Sequence, residues 1–449
     1  MPDVAGRSGR SGVRFSRTCP FDRLHGAKRT LLRARREDER SIMQRLRIPE
    51  RRMIVVGGAY LEECDWPEWQ RIMGSGVRAA LAVSELSPGS ELYTFVDQEA
   101  RGDLALTMTE RGIKTHLRTR REPIVFYYKH PLTSPPAQEP DEWNAKGTRL
   151  WTIEGSTVLA FRLLEAKLKI NADRAVFEIS PRDEEISRGK IGSLALIAAE
   201  DELPDAASPA DGFRDVAARL MAAHKADLMI IRRRAGGGVL FEGELEHDVP
   251  AYVARQWFKI GAGNVFCAMF AHYWGEKKMS PLRAAELASR SSAYYAGELA
   301  IPMVAEGSLP TMETFDPSIQ CKVFVVSPCA SMAQQWLLDQ AIDSLDRLGV
   351  TTVSAYDLGL DGVPLKSGDI DKVLEDSDAV LVLADGADIA SALAVGLARV
   401  RHLPIVVLAE DSKQTRLDLW QGTQCEIARD FATAVYRAMV AARRRRPGA

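Results

Sequence analysis

Short runs rich in β-branched residues alternate with stretches of helical periodicity from residue 53 onward. This alternation predicts an α/β fold with mostly parallel sheets, because parallel strands need a crossover segment that is usually a helix. Segment 122–135 reads instead as strand material interrupted by turns, which indicates an edge sheet or a lid. Strand candidates lie at 53–56, 91–96, 175–179, 194–198 and 228–231, and helix candidates at 77–86 and 212–226.

A second α/β unit follows the Gly- and Pro-containing segment 306–320. Four strands alternating with helices predict a small doubly wound domain with its ligand at the carboxyl ends of the strands. The predicted strands are 321–328, 351–357, 379–385 and 404–410, and the predicted helices are 331–348, 369–376 and 389–400. The expected divisions are an extension at 1–52, a first domain at 53–305, a linker at 306–320, a second domain at 321–440 and a basic tail at 441–449.

The composition is that of a soluble globular protein, since 46% of the 449 residues are apolar and 27% are charged. No apolar run approaches the roughly 20 residues of a membrane-spanning helix, so a membrane protein is excluded. Six cysteines lack metal-ligand spacing, which indicates reduced thiols in a cytoplasmic protein and no metal site. Residues 1–52 hold 15 Lys and Arg against 6 Asp and Glu, and the remainder is mildly acidic, so no nucleic-acid partner is expected.

The basic extension at 1–52 has three interpretations. It is a disordered arm, a transit-like peptide, or sequence translated from upstream of a true start at Met43. The misplaced start carries the most weight, because the first strand candidate begins shortly after Met43.

The stretch 258–270, FKIGAGNVFCAMF, places Gly261, Ala262 and Gly263 directly before an apolar helical run. Small residues let backbone N–H groups converge on an oxyanion, and the helix start adds its positive end. This pattern predicts a phosphate cradle. A kinase would also need a base for the acceptor hydroxyl, yet the next residue is Asn264.

In these residues the chain resembles the ribokinase/PfkB family of carbohydrate and nucleoside kinases, whose signature is GAGD before an apolar helix. Three further segments resemble the family in its order: VVGGAY at 55–60, MGSGVRAALAVSEL at 73–86 and ADLMIIRRRAGGGVLFEGE at 226–244. The resemblance covers roughly 53–300 and implies a ribokinase-like αβα domain. It implies that ATP with Mg²⁺ binds across 236–238 (Gly236, Gly237, Gly238) and 261–263, with Gly76 at the substrate.

Departures from the family pattern fall on the expected chemistry. Asn264 stands at the position of the family's catalytic aspartate, and an amide has no useful basicity near neutral pH. Arg78 replaces a sugar-binding Asn and favours an anionic ligand, while Glu62 lies near the family's early substrate-binding Asp. The NxxE element keeps only Glu202. On composition alone the three glycines at 236–238 form a hairpin turn, and Tyr294 and Tyr295 are core residues.

Residues 322–436 resemble the nucleoside 2-deoxyribosyltransferase family, through VFVVSP (323–328), YDLGLDGVP (356–364), DIDKVLEDSDAVLVLADGAD (369–388) and SALAVGLARVRHLPIVV (391–407). Ala394 stands at the position of the family's nucleophilic glutamate, so double displacement through that residue is lost. Asp369 matches an acidic position that assists at the sugar, and is otherwise a helix cap. The ligand candidates of this domain are Ser327, Asp357, Asp369, Asp385, Asp388 and Ser391, and turn chemistry is the alternative for Ser327 and Asp357.

Three functional hypotheses follow. The first is a ligand-binding or regulatory pseudoenzyme for a nucleoside, nucleotide or sugar phosphate, favoured because both expected carboxylates are absent, at Asn264 and Ala394. The second is an active kinase of sugars or nucleosides, with ATP and Mg²⁺ as cofactors. The third is a protein-interaction scaffold. A homodimer is expected by analogy with PfkB-type kinases alone.

Overall fold

The computed structural model describes residues 52–140, 149–180, 186–203, 212–354, 367–410, 420 and 424–446. Within these ranges the chain forms a nine-stranded and a five-stranded sheet, each largely parallel, and two smaller sheets. The predicted α/β class is confirmed. The extension predicted at 1–52 lies outside the described residues except for Arg52. None of the described helices is long and apolar enough to cross a lipid bilayer.

We refer to residues 52–320 as the first region and to residues 321–446 as the second region. The strands of the first region are β1 (Met53–Val56), β2 (Tyr60–Cys64), β3 (Trp69–Met73), β4 (Glu91–Val96), β5 (Lys114–Thr119), β6 (Val125–Tyr128), β7 (Ala137–Glu139), β8 (Arg149–Ala160), β9 (Ala166–Glu178), β10 (Ile186–Ala199), β11 (Leu228–Arg232), β12 (Gly238–Glu242), β13 (Leu245–Val249), β14 (Ala251–Tyr252) and β15 (Thr314–Phe315). Its α-helices are α1 (Ser75–Val83), α2 (Arg101–Glu110), α3 (Gly212–His224), α4 (Ala262–Phe270) and α5 (Pro281–Glu298), and a π-helical segment, Ala271–Glu276, continues α4.

The central strands of the nine-stranded sheet are buried on both faces. Its order is β13-β12-β11-β10-β9-β8-β1-β4-β5, with antiparallel pairing only at β11–β12–β13. Alternate residues of β1 point to opposite sides, so Met53 and Val55 join one apolar core and Ile54 and Val56 join the other. Helices α1, α2, α4 and α5 cover the first face. Because successive residues of β1 are buried on opposite faces, the strand appears in the sequence as a continuous apolar run.

The second face of the sheet is covered by the N-terminal halves of strands β8, β9 and β10, which fold back over it. Parallel register places Ala160 level with Phe177 and Arg149 level with Ala166. Only five residues join β8 to β9, about 20 Å when extended, whereas a straight 12-residue strand spans about 40 Å. The strands therefore curl back, and the early residues Trp151 and Ile153 share a core with Phe177. Helix α3 completes this layer.

A separate four-stranded sheet, in the order β3-β2-β6-β7, forms a lid at the end of β1. Its strand β6 comes from segment 122–135, which the sequence assigns to an edge sheet or lid. Strand β2 lies in its interior, antiparallel to β3 and parallel to β6.

The second region is a doubly wound sheet. Its strands are β16 (Lys322–Val326), β17 (Thr351–Ser354), β18 (Ala379–Leu383), β19 (Ile405–Leu408) and β20 (Glu426–Ala428), and its helices are α6 (Met332–Arg347), α7 (Ser367–Glu375), α8 (Ile389–Val400) and α9 (Phe431–Arg445). All five strands are parallel in the order β17-β16-β18-β19-β20. The strand order reverses between β16 and β18, and ligands bind at the carboxyl ends beside such a switch point.

Helix α9 joins the two regions in one apolar core. Tyr436 is fully buried and its ring stacks on Trp257 of the first region at a centroid distance of 4.0 Å. The sequence predicts a basic tail at 441–449, but α9 continues to Arg445. Arg443 is 2% exposed and donates to the carbonyl of Leu348, so the start of this basic run is packed rather than solvated.

His130 anchors the lid to the second region. The residue follows β6, its ring packs on Phe431, and its Nε2 lies 3.2 Å from Oε1 of Gln340. Its Nδ1 accepts a hydrogen bond from the backbone N–H of Leu132, which fixes the neutral tautomer with the proton on Nε2. Burial lowers the pKa of His130, with smaller opposing effects from Gln340 and Asp343 and a lowering effect from Arg347.

We predict that His130 makes stability pH-dependent. A depressed folded pKa means that the contribution of the neutral ring is complete above the ordinary value of 6.5 and is lost as the pH falls through the folded value. His130→Phe keeps an aromatic ring against Phe431 but cannot titrate. The decrease in Tm between pH 7.5 and pH 5 should therefore be smaller in His130→Phe than in the wild type. Thermal unfolding followed by circular dichroism measures it, with His247→Phe on edge strand β13 as the control. An unchanged decrease would contradict the prediction.

Candidate functional site

Three predicted site residues from separate elements meet in one buried network. Nη1 of Arg78, on α1, donates to Oε1 of Glu62 on β2 and to Oδ1 of Asn264 on α4, both at 3.1 Å. Nη2 of Arg78 donates to the other Glu62 oxygen. Arg78 is 1% exposed and Glu62 is 4% exposed. The guanidinium thus connects the lid to the start of α4.

Tyr295, on α5, completes this network. Its hydroxyl accepts from Nε of Arg78 at 3.2 Å and donates to the carbonyl of Ile260. Burial is the largest single effect and disfavours the charge on Arg78, but Glu62, Tyr295 and Tyr128 together outweigh it, so the pKa of the guanidinium is raised. Arg78 therefore remains a cation inside the protein, which requires its partner to stay in place.

The Arg78 side chain lies directly against the predicted cradle. Gly261 is the N-cap of α4 with φ 78°, and a Cβ added there would lie 2.1 Å from Nε of Arg78. Gly76 has a close backbone contact instead, since its Cβ would lie 2.5 Å from the carbonyl oxygen of Gly57. Glycine at 261 thus makes room for the guanidinium, and glycine at 76 makes room for the end of β1.

A second set of cations lies beside the start of α4. A Cβ added at Gly263 would lie 2.5 Å from Nη1 of Arg232, whose Nη2 pairs with Glu178 at 3.1 Å. Lys259 precedes the cradle and has no salt bridge with a described residue. Burial lowers the pKa of its amine, Asp201 opposes this, and nearby Arg232, Arg234 and Arg347 lower it further.

The first turn of α4 is electrostatically unfavourable next to these cations. It contains no acidic residue, and no side chain caps it. The N-terminus of a helix is positively polarised, so cations placed there repel it. An anion between Lys259 and this turn would relieve that repulsion and accept hydrogen bonds from the backbone N–H groups of the first turn.

The glycines at 236–238 form the turn between the antiparallel strands β11 and β12. Gly236 and Gly237 have φ of 114° and 68°, which side chains rarely adopt. They line a cleft of about 40 Å³ together with Arg232, Trp257 and Phe266. Drug-sized ligands occupy pockets of about 300–1,000 Å³. The hairpin interpretation explains these glycines structurally, and their nucleotide role stays a prediction.

Glu202 ends the 3₁₀ turn Glu200–Glu202, at the carboxyl end of β10, and is exposed. Among the residues that the structure describes, no group of three or more His, Cys, Asp and Glu side chains is placed to hold a metal ion.

Most predicted ligand residues of the second region have structural partners. Asp388 caps α8 by accepting from the backbone N–H and the hydroxyl of Ser391, both at 2.8 Å. Oδ2 of Asp385 accepts from the backbone N–H of Glu410 at 3.2 Å. The Ser327 hydroxyl donates to the carbonyl of Pro328. Asp369 lies half-buried in the first turn of α7, and Asp357 lies outside the described residues.

Ala394 faces the core of the second region. It is 1% exposed and packs among the apolar side chains of the sheet and α8. A carboxylate at this position would be buried in apolar surroundings, which is costly without a partner.

Sequence reasoning assigned no functional role to Tyr295 or Lys259. Tyr295 sits in α5 at a position spaced like the core residues around it, so nothing in the sequence separates it from them. Lys259 lies two residues before the cradle, and a lysine so close to a phosphate-binding pattern would have predicted an anion contact.

No family model matches this sequence. No curated protein matches it either.

Solved structures similar to this chain include several kinases. One is a pyrophosphate-dependent kinase in the ribokinase family complexed with a pyrophosphate analogue and myo-inositol, at 13% identity, covering 54% of this chain and 94% of that chain with a TM-score of 0.37. Ribokinase from Giardia lamblia has 14% identity, with coverage of 55% and 93% and a TM-score of 0.42. The nucleoside kinase of Methanocaldococcus jannaschii, an archaeal member of the ribokinase family, has 13% identity, with coverage of 55% and 91% and a TM-score of 0.41. These TM-scores lie below 0.5, so the α/β class rests on this chain's own strand order.

We predict that Arg78→Met destabilises the protein by about 3 kcal/mol, because it leaves the buried Glu62 carboxylate unpaired. Removing both charges, in Glu62→Gln/Arg78→Met, should cost less than Arg78→Met alone. Urea unfolding measures both free energies, with exposed Arg111→Met as a control expected to stay within about 0.5 kcal/mol of the wild type. A double variant less stable than Arg78→Met would contradict a buried ion pair.

Proposed function

We propose that this protein is a ligand-binding pseudoenzyme on a ribokinase-like scaffold, which binds a phosphate-bearing ligand at the start of α4 without transferring a phosphoryl group. The contact between Arg78 and Asn264 carries this proposal. The family resemblance places the acceptor hydroxyl between Glu62, Arg78 and Asn264, and here Arg78 instead donates hydrogen bonds to both of the other side chains. The position of the base holds an amide whose oxygen is already occupied by a guanidinium.

Restoring the carboxylate alone would not restore a base. An aspartate at 264 would lie within hydrogen-bonding distance of the Arg78 guanidinium, which favours the charged form and lowers the pKa of the carboxyl. A base with a lowered pKa removes a proton poorly near neutral pH. The departures at 78 and 264 therefore reinforce each other.

ATP does not fit the residues as arranged. The cleft beside Gly236 and Gly237 measures about 40 Å³, far less than the roughly 300–1,000 Å³ that drug-sized ligands occupy. A smaller anion suits the site better, because Lys259 and the first turn of α4 together offer one ammonium and a set of backbone donors. Inorganic phosphate, pyrophosphate and sugar phosphates are therefore the favoured ligand class.

For the second region we propose ligand binding without glycosyl transfer. The resemblance places the nucleophile at Ala394, which is buried in the apolar core, and Asp388 and Ser391 are used to cap α8. Ser327 and Asp385 remain at the carboxyl ends of β16 and β18, beside the switch point where the strand order reverses. These positions support a nucleoside-type ligand bound by hydrogen bonds.

An assay of phosphoryl transfer tests the proposal. The full chain, Asn264→Asp and Asn264→Asp/Arg78→Asn are each incubated with Mg²⁺, pooled sugars and nucleosides, and either ATP or pyrophosphate as the phosphoryl donor, and phosphorylated products are measured. We expect no product from the wild type or from Asn264→Asp. A general base contributes about 10²–10⁴-fold to the rate, so a rate increase of that order should appear only in the double variant. Product formation by the wild type would establish an active kinase and overturn the pseudoenzyme.

Binding of an anion tests the role of Lys259. Lys259→Met removes a partly buried charge whose pKa is lowered, so it should raise Tm in the absence of ligand. It should also weaken binding of pyrophosphate about ten-fold, the usual effect of one charge-assisted hydrogen bond. Calorimetry with phosphate, pyrophosphate and ADP measures affinity, and Lys167→Met on an exposed position of β9 is the control. Equal affinities in the two variants would place the anion elsewhere.

A further inference from the structure

Two side chains, one in strand β2 and one just after it, form hydrogen bonds with residues outside the lid. Glu62, in its middle, pairs with Arg78 and also accepts from the backbone N–H of Gly74 at 2.9 Å. Trp66, just beyond its end, donates its indole N–H to Oε1 of Glu410 at 2.8 Å. Arg78 belongs to the first region and Glu410 to the second, so one short strand contacts the candidate sites of both.

Glu410 lies at the carboxyl edge of the second sheet. It follows β19, and its backbone N–H donates to Asp385 after β18, a predicted ligand residue. Burial raises the pKa of Glu410, the Trp66 hydrogen bond opposes this, and nearby Asp385 and Asp430 raise it further. A ligand that donates hydrogen bonds to these carboxylates would compete with the Trp66 indole N–H for Glu410.

The connection between Trp66 and Glu62 is stiff. The backbone N–H of Trp66 donates to the carbonyl of Lys129, and that of Asp65 donates to Tyr128, so the turn after β2 is tied to strand β6. Cys64 pairs across to Trp69 and to Tyr128. Trp66 lies four positions after Glu62, about 13 Å of extended strand. A displacement of Trp66 is therefore transmitted to Glu62 rather than absorbed in a loose loop.

We propose that the contact between Trp66 and Glu410 is a latch by which the second region holds the lid closed over the Arg78 network. In the closed state both contacts of β2 are made. In the open state Trp66 has left Glu410, and the lid pivots about its remaining contact at His130 and moves Glu62 away from Arg78. A ligand at the carboxyl edge of the second sheet that binds Glu410 favours the open state, and so couples the two candidate sites. This latch does not depend on whether either site catalyses a reaction.

Hydrogen exchange of the full chain, without ligand, tests the latch. Trp66→Phe keeps a ring but removes the donor, and Glu410→Ala removes the acceptor. Each should speed amide exchange in the lid, residues 60–73 and 125–128, about five-fold, with no change in the central strands β10 and β11. Glu410→Gln retains an acceptor oxygen and should keep most of the lid protection. Because the two residues act through one contact, the Trp66→Phe/Glu410→Ala double variant should exchange no faster than either single variant.

Trp336→Phe is the matched control, since Trp336 is half-exposed on α6 and takes no part in the latch. Lid exchange in Trp66→Phe equal to that in Trp336→Phe would overturn the proposal. Additive effects in the double variant would overturn it too, and so would an equal increase in the lid and in the central sheet. These outcomes involve neither ATP nor pyrophosphate, so the latch and the proposed function can fail independently.

Discussion

The ion pair between Arg78 and Glu62 is the interaction on which the first region depends. A guanidinium that is 1% exposed has no water to stabilise it, so it needs charge and hydrogen-bond partners on every side. Glu62, Asn264 and Tyr295 supply them from the lid, from α4 and from α5. Four side chains from the lid, α1, α4 and α5 therefore share one buried network.

The charge distribution separates the two candidate sites. Lys259, Arg232 and the positive end of α4 make the first site suitable for an anion. Asp385, Glu410 and Asp430 make the carboxyl edge of the second sheet acidic, which suits a neutral or cationic ligand. The same nucleotide would therefore not suit both sites. The lid strand β2 lies between the two sites.

Much of the architecture could be predicted from the sequence, because buried parallel strands read as short β-branched runs and the second region repeats that pattern regularly. The curled strands β8–β10 could not, since a strand that turns back on itself keeps period-2 alternation in both halves and the bend leaves no signal beyond scattered glycines such as Gly155. The order of glycine-rich segments located the candidate site. The hydrogen bond from Arg78 to Asn264 spans 186 positions in sequence. Tyr295, which also bonds to Arg78, is spaced like any core residue. The sequence alone therefore predicts neither contact.

Helix α9 has a consequence for how the protein is made. It is the last helix described, yet Tyr436 stacks on Trp257, and its hydroxyl receives the backbone N–H of Ala254. The residues of α9 leave the ribosome after the whole first region, whereas domains usually fold in order as they emerge. The apolar surface around Trp257 is therefore covered only after the second region has been translated.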